Sequence, residues 1–205
     1  MLLLVGGLKW RAYMEREKMD RRVRYTKAQL REALVKLLQT QHISKISVKA
    51  LCDAADVNRS TFYVHYANPY DLLDQIETEI LGNLRAYLDR REVDCAPISE
   101  QNLTGILEYA KPNADLFTVL LSENCGPAFQ IRLAEMVRLL PVPSGMDERR
   151  KAYIAAFAFD GCISVLHQWL REGLVESSKE MSEFLMDILH NGLSRYWRAQ
   201  EESRP

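Results

Sequence analysis

The segment Asn58–Thr61, with the sequence NRST, carries the side chains whose chemistry points most directly to a partner. An arginine such as Arg59 can donate two parallel hydrogen bonds to the acceptor atoms of a guanine, and the two hydroxyls that follow it can reach a base or a phosphate. A phenol and an imidazole come next, at Tyr63 and His65, where they could contact the sugar-phosphate backbone. These residue types in one short run predict DNA binding.

The flanking residues predict the helix-turn-helix that would position this segment. Apolar residues recur at helical spacing after Ser47, which offers an N-terminal cap, and two alanines lead into a turn. Asn58 then caps a second helix, whose buried contact is Phe62. Two helices joined by three or four residues form a unit whose second helix enters the DNA major groove. Tyr66 fits a core position as well as a DNA contact, and His65 could simply end the helix.

A further helix is predicted N-terminal to this unit. The sequence Thr26-Lys27-Ala28-Gln29 fits a capping box, and one apolar face then continues to about Gln39. Residues 1–18 have no basic segment ahead of their apolar run, and that run is too short to span a bilayer. We therefore expect residues 1–18 to be a disordered or upstream extension, with a natural start near Met19.

The rest of the chain also reads as helical, which makes the predicted fold class all-α. Asn68, Pro69 and Asp71 predict the capped start of a long helix that continues to about Tyr87. A charged, proline-containing stretch at residues 90–97 predicts the link to the C-terminal half. Five more helices are predicted at residues 99–109, 114–122, 128–140, 147–172 and 179–198, with breaks at prolines and glycines between them.

The last two predicted helices suggest a homodimer. Gly161 and Gly192 fall inside them, where each glycine costs about 1 kcal/mol relative to alanine. Close approach of two helices would compensate for this cost. We therefore expect these helices from two chains to form a four-helix bundle, although packing within one subunit would use the same residues.

The charge is distributed unevenly along the chain. Residues 20–66 hold nine basic and four acidic side chains, a net charge of +5, whereas the whole chain carries −1 and the remainder therefore −6. A basic module on an acidic body suggests that the N-terminal part meets a polyanion, although a chance distribution of solvated charge explains the numbers about equally well. The four scattered cysteines indicate free thiols in a reducing cytoplasm, which is the expected location.

Motifs for catalysis or metal binding are missing from the sequence. The four histidines show no close spacing, Cys162 and His167 are not placed for one tetrahedral site, and no nucleophile-elbow, Walker or dinucleotide-binding glycine pattern occurs. We expect neither an enzyme nor a cofactor or metal. A set of aromatic residues could line an effector pocket or equally form plain core: Tyr109, Phe117, Phe129, Phe157 and Trp169.

Residues 26–73 together resemble the N-terminal domain of TetR-family transcriptional regulators. The order of a helix, a short link, the helix-turn-helix, the sequence FYVHY and a capped fourth helix all match. The resemblance implies DNA-binding residues at Ser47, Lys49, Asn58, Arg59, Ser60, Thr61, Tyr63 and His65. Many members carry a lysine at the start of the fourth helix, where this chain has Pro69, so that phosphate contact would be absent or supplied by Arg21 or Arg22.

The resemblance also implies the domain organisation and the function. It predicts a DNA-binding domain over residues 19–70, an effector-binding and dimerisation domain over residues 71–205, and a regulator, expected to be a repressor, that binds a palindromic operator as a homodimer. The segment Phe157–Leu185 resembles, more loosely, the C-terminal domain type of an activator of dihydroxyacetone kinase genes. That second likeness leaves open an alternative, a coactivator or adaptor that works with a protein partner instead of a small-molecule effector.

Overall fold

The computed structural model describes residues 3–89, 99–138 and 147–192, with residues 3–20 described by their backbone alone. Throughout these ranges the regular structure is helical, with no strand, which confirms the predicted fold class. The helices are α1 (Leu3–Leu38), α2 (Val48–Ala55), α3 (Arg59–His65), α4 (Pro69–Leu88), α5 (Glu100–Ala110), α6 (Ala114–Leu120), α7 (Ala128–Arg138), α8 (Glu148–Arg171) and α9 (Ser178–Asn191).

The first helix begins much earlier than the sequence pattern suggested. Helix α1 starts at Leu3 and passes through Thr26, so Thr26 is an interior residue and no capping box forms there. Most of residues 8–25 are good helix formers, namely Leu, Ala, Arg, Glu, Lys and Met. The helix can therefore begin well before Thr26. The backbone of residues 3–18 is part of this helix, so the predicted boundary near Met19 does not coincide with a helix start.

Contacts divide the chain into an N-terminal unit ending at Ile76 and a C-terminal unit starting at Glu77. This boundary lies within helix α4. It is a few residues beyond Tyr70, where the sequence predicts the end of the DNA-binding domain. The linker predicted at residues 90–97 lies outside the described residues, as does the turn predicted at residues 141–145.

The N-terminal unit is built around a core in which α2 packs against both α1 and α3. The short 3-10 turn Ile43–Lys45 connects α1 to α2 and adds the buried side chain of Ile43 to the core. The buried apolar residues of α1 to α3 and their connections are Leu30, Ala33, Leu34, Leu38, Ile43, Ile46, Leu51, Cys52, Ala55, Phe62 and Tyr66. This core fixes the orientation of α3.

The C-terminal unit is a separate helical assembly. Helix α5 packs against α9, and α8 packs against α6 and α7. The sequence located these helices to within a few residues, except that α9 ends at Asn191. Gly192 has a φ of 65°, a left-handed conformation that suits glycine, so it ends α9 instead of lying inside a longer helix. The glycine argument for a close helix interface therefore holds only for Gly161. None of the described helices is both long enough and apolar enough to cross a membrane.

Candidate nucleic-acid interface

Side-chain caps and a left-handed turn define the helix-turn-helix. The Ser47 hydroxyl accepts a hydrogen bond from the Ala50 amide at 3.1 Å, which caps α2 as predicted. Helix α2 ends at Asp56, whose φ of 51° and ψ of 43° place it in the left-handed region that aspartate tolerates better than most residues. The Val57 amide then donates to the Cys52 carbonyl at 3.0 Å, so the chain turns sharply before α3.

Asn58 fixes the start of α3. Its Oδ1 atom accepts hydrogen bonds from the Ser60 amide at 2.9 Å and from the Ser60 hydroxyl at 3.0 Å. These two side chains, both predicted to contact DNA, are therefore joined to one another in the free protein. The arrangement leaves the Asn58 amide group facing outward as a hydrogen-bond donor, because only its oxygen takes part in the cap.

Phe62 holds α3 against the rest of the unit. Its side chain is fully buried, and its ring contacts those of Tyr63 and Tyr66 at centroid distances of 5.6 and 5.7 Å. Tyr66 is also buried and lies under the ammonium group of Lys27, which is 5.9 Å from the ring centroid. Of the two readings that the sequence allowed for Tyr66, the structure supports the core position.

The structure places the predicted DNA-binding residues at the accessible surface of one helix-turn-helix. Lys49 and Arg59 are exposed, as is Tyr63, whereas Thr61 and His65 are half-buried. Helix α3 turns its Phe62 side inward, so its charged and polar side chains are available to a groove. These side chains can donate hydrogen bonds and present positive charge to an anionic, groove-shaped surface.

Cys52 of α2 is a buried thiol with a raised pKa. Desolvation raises the pKa of Cys52, and the nearby positive charge of Arg59 opposes that rise only in part. The cysteines that the structure describes, Cys52, Cys125 and Cys162, are all free thiols. Burial also raises the pKa of Cys125, to about 12. Groups of three or more His, Cys, Asp or Glu side chains able to hold a metal ion do not occur among the described residues.

The start of α4 offers a tight cap but no cation. The Asp71 amide donates to the Asn68 side-chain oxygen at 3.1 Å, and the Asp71 carboxylate accepts from the Ala67 amide at 2.8 Å. This reciprocal pair confirms the predicted cap, and the hydrogen bond from Ala67 is the main reason why the pKa of Asp71 is lowered. Pro69 is buried in the first turn and supplies no positive charge.

One exposed residue of α3 was not anticipated. Val64 is 76% exposed, although it is a branched aliphatic side chain in the helix that carries Arg59 and Tyr63. The pattern of residues 58–65 contains a signal that could have revealed it, since a helix that buries Phe62 must turn residues 60 and 64 away from the core. Because valine has no hydrogen-bonding group, the residue type of Val64 did not suggest a contact with DNA.

The predicted effector-pocket residues differ in their exposure, and two of them pack against each other. Tyr109 packs edge-on against Phe117 at a centroid distance of 5.9 Å and accepts a hydrogen bond from Asn83 at 2.8 Å. Phe117, Phe129 and Trp169 are buried, and the Trp169 indole donates to the Glu176 carbonyl at 3.1 Å. Phe157 is 76% exposed on α8, so it is not a core residue of its own unit, and its place in an effector pocket stays a prediction.

Comparisons with known proteins agree with this geometry. Residues 99–191 match a family model described as the C-terminal region of a transcriptional regulator, TetR_C_8. YxbF of Bacillus subtilis (strain 168), an HTH-type transcriptional regulator, is 19% identical over 167 residues. That match covers 79% of this chain and 44% of the relative, so this chain spans less than half of the relative's length.

Solved structures share the fold. A TetR transcriptional regulator from Streptococcus agalactiae 2603V is 24% identical with a TM-score of 0.60, covering 84% of this chain and 98% of that one. The dihydroxyacetone kinase operon activator DhaS is 15% identical with a TM-score of 0.50, covering 80% of this chain and 93% of that one. With the capped helix-turn-helix, the all-helical C-terminal unit and the matched regulator region, this chain is similar to TetR-type transcriptional regulators and shares their fold.

Proposed function

We propose that this protein is a sequence-specific DNA-binding transcriptional regulator whose helix α3 enters the DNA major groove. The observation that carries the proposal is the division of α3 into a buried side at Phe62 and an accessible side with Arg59 and Tyr63. Arg59 would donate to a guanine, while Ser47, Lys49 and Tyr63 would contact phosphates. Since the Asn58 oxygen is already used as a cap, its role toward DNA would be limited to donation from the amide nitrogen.

The regulator would act as a two-fold dimer through α8 and α9. Helix α8 exposes large apolar side chains, with Tyr153 at 60% and Phe157 at 76%, and Phe184 on α9 is also partly exposed. Gly161 lies one turn from Phe157, and a Cβ added there would meet no atom within 4 Å, so a partner helix could approach closely. Two chains joined in this way would carry two copies of α3 to a palindromic operator.

Repression controlled by an effector is the regulatory mode that we propose. A small molecule bound in the C-terminal unit would tilt α4, which runs through the unit boundary, and so change the separation of the two α3 helices. Half-sites lie roughly 34–36 Å apart or at multiples of that spacing, so a shift of a few ångströms would lose the register. The protein would act in the cytoplasm.

The experiment that tests DNA binding is a gel-shift titration of the full chain with its own upstream region and with random duplexes at moderate salt. Preferential binding to the upstream region supports the proposal, and equal binding to both contradicts it. The Arg59→Ala variant should lose roughly five- to 150-fold in affinity, because a bidentate arginine–guanine contact is worth about 1–3 kcal/mol. Arg85→Ala is the matched control, since Arg85 is an exposed arginine of α4 that pairs with Asp89.

The alternative function is a coactivator or adaptor of the same fold that depends on a protein partner. The resemblance of Phe157–Leu185 to an activator's C-terminal domain type motivates it. Co-purification of a stoichiometric protein partner together with a lack of preference for any DNA would favour this alternative. Specific operator binding by the purified protein alone would argue against it.

A further inference from the structure

Val64 lies on the outermost ridge of α3. At about 100° per residue, Ser60 and Val64 each point roughly 160° away from Phe62, the buried anchor of this helix. Since the two residues are four apart, they are neighbours on the helix surface. Val64 is 76% exposed there, so the ridge that projects farthest from the core ends in an aliphatic side chain.

The outward ridge offers no free hydrogen-bond donor. The Ser60 hydroxyl donates its single hydrogen to the Asn58 oxygen at 3.0 Å, a hydrogen bond within the cap of the same helix, and keeps only acceptor lone pairs. Val64 has neither donor nor acceptor. The methyl groups on the ridge are therefore those of Val64, while the hydrogen-bonding and cationic side chains Tyr63 and Arg59 lie to one side of it.

The major groove displays one apolar feature that such a ridge can match, the C5-methyl group of thymine. We propose that Val64 is a specificity-determining residue that packs against a thymine methyl in each half-site of the operator. This inference rests on the proposed function, since it requires α3 to enter the major groove. The excess of basic residues over residues 20–66 favours DNA as the occupant of this face, because a polyanion complements it.

The test is a double-mutant cycle between protein and DNA. The full-length protein first selects its preferred duplex from a random pool, and each thymine of a selected half-site is then replaced by deoxyuridine, which lacks only the methyl group. Wild type and Val64→Ala are titrated with both duplexes by fluorescence anisotropy. Val175→Ala is the matched control, because Val175 is 78% exposed and lies in the C-terminal unit, between α8 and α9.

We expect one thymine position at which deoxyuridine weakens wild-type binding about fourfold per half-site, the factor that corresponds to ~0.8 kcal/mol for one buried methyl-sized group. The Val64→Ala protein should bind the two duplexes equally, and Val175→Ala should behave as wild type. The inference is overturned if no thymine methyl affects wild-type binding, or if Val64→Ala loses the same factor as wild type.

The outcomes separate this inference from the proposed function. If the selection enriches no sequence, DNA reading itself fails and the inference fails with it. If a sequence is enriched but the cycle shows no coupling, the protein reads DNA without the methyl contact. Val64→Thr provides a second arm: it keeps one of the two methyl groups and the branched shape, and it should retain part of the discrimination.

Discussion

The two units of this protein use the same residue types in opposite ways, and two phenylalanines show the contrast. Phe62 of the N-terminal unit is fully buried, whereas Phe157 of the C-terminal unit is 76% exposed on a helix of 24 residues. Of that whole helix, α8, only Trp169 and Leu170 are buried. The described residues therefore bury the phenylalanine of α3 but leave that of α8 at the surface. This difference supports the proposal that α8 lies in a dimer interface.

Polar groups differ between the units as well. In the N-terminal unit the side chains of Ser47, Asn58 and Asp71 serve as caps at the helix ends. The C-terminal unit buries polar side chains in its interior: Glu77 faces Arg132 at 3.4 Å, and Ser182 of α9 shares a hydrogen bond with Thr104 of α5 at 2.7 Å. Buried polar links of this kind fix the relative positions of helices, because an unsatisfied buried group is costly.

The largest effect is expected from Phe62→Ala. Removing a fully buried aromatic ring should lower the stability of the N-terminal unit by about 3–5 kcal/mol, because the ring's burial is lost and a cavity remains. Hydrogen exchange measured by mass spectrometry should show faster exchange in α1 to α3, with α5 and α9 unchanged. Equal acceleration in both units would contradict the division at Ile76.

The same substitution at Phe157 should leave the fold intact and weaken self-association. An exposed ring contributes little to the single chain, but burying one ring from each of two chains is worth about 1.5–3 kcal/mol apiece. We expect Phe157→Ala to weaken dimerisation at least a hundredfold in sedimentation equilibrium. Val175→Ala, at an exposed position outside α8 and α9, serves as the control. An unchanged dimer would show that α8 has another partner.

A smaller effect is expected from breaking the contact between α4 and α7. Arg132 Nη1 lies 3.4 Å from the buried Glu77 carboxylate, and Arg132 Nη2 donates to the Thr78 hydroxyl at 2.8 Å. Arg132→Ala should destabilise the C-terminal unit by about 2 kcal/mol, because it removes a charge-assisted contact to a buried carboxylate and the hydrogen bond to Thr78. Thermal unfolding of the full chain measures this loss. The Arg132→Ala/Glu77→Gln double variant should recover part of it, and no recovery would argue against the pair.

The smallest effect is a pH dependence that the two units share. Hydrogen bonds hold the pKa of Asp71 below 3.8, mainly that from the Ala67 amide, and hold the pKa of Glu180 below 4.5, mainly that with Ser177. A depressed folded pKa means that the stabilisation is present above the ordinary pKa and is lost as the pH falls through the folded value. Denaturation at about pH 6 and about pH 3 should show this loss in wild type. It should shrink in Asp71→Asn and in Glu180→Gln, whereas an unchanged pH dependence in both would contradict the role of the caps.

The sequence predicted those features of the fold that depend on a few neighbouring residues. The predicted caps at Ser47, at Asn58 and at the start of α4 are all present, because each is made of local hydrogen bonds between residues two to four apart. The predicted cap at Thr26 does not form, because the residues that precede it favour helix strongly.

Features that depend on tertiary packing were predicted less well. The exposure of Phe157 and of Val64 was not predicted, because residue type alone does not determine exposure. Gly192 was placed inside a helix because a continuing apolar pattern hides a left-handed cap. The sequence could single out candidate DNA-binding residues because the polar N-terminal part of α3 combines local caps with base-reading chemistry. The functional roles of all the predicted DNA-binding residues remain predictions.

Selection of duplexes from a random pool by the full-length protein tests most directly whether a dimer of this chain reads DNA with its two copies of α3. The account predicts an enriched inverted repeat whose half-sites have centres about 10–10.5 base pairs apart, or a multiple of that spacing. Its affinity should fall steeply as salt rises, because phosphate contacts release counterions. Enrichment of no sequence, or of a single asymmetric site bound by one chain, would contradict it.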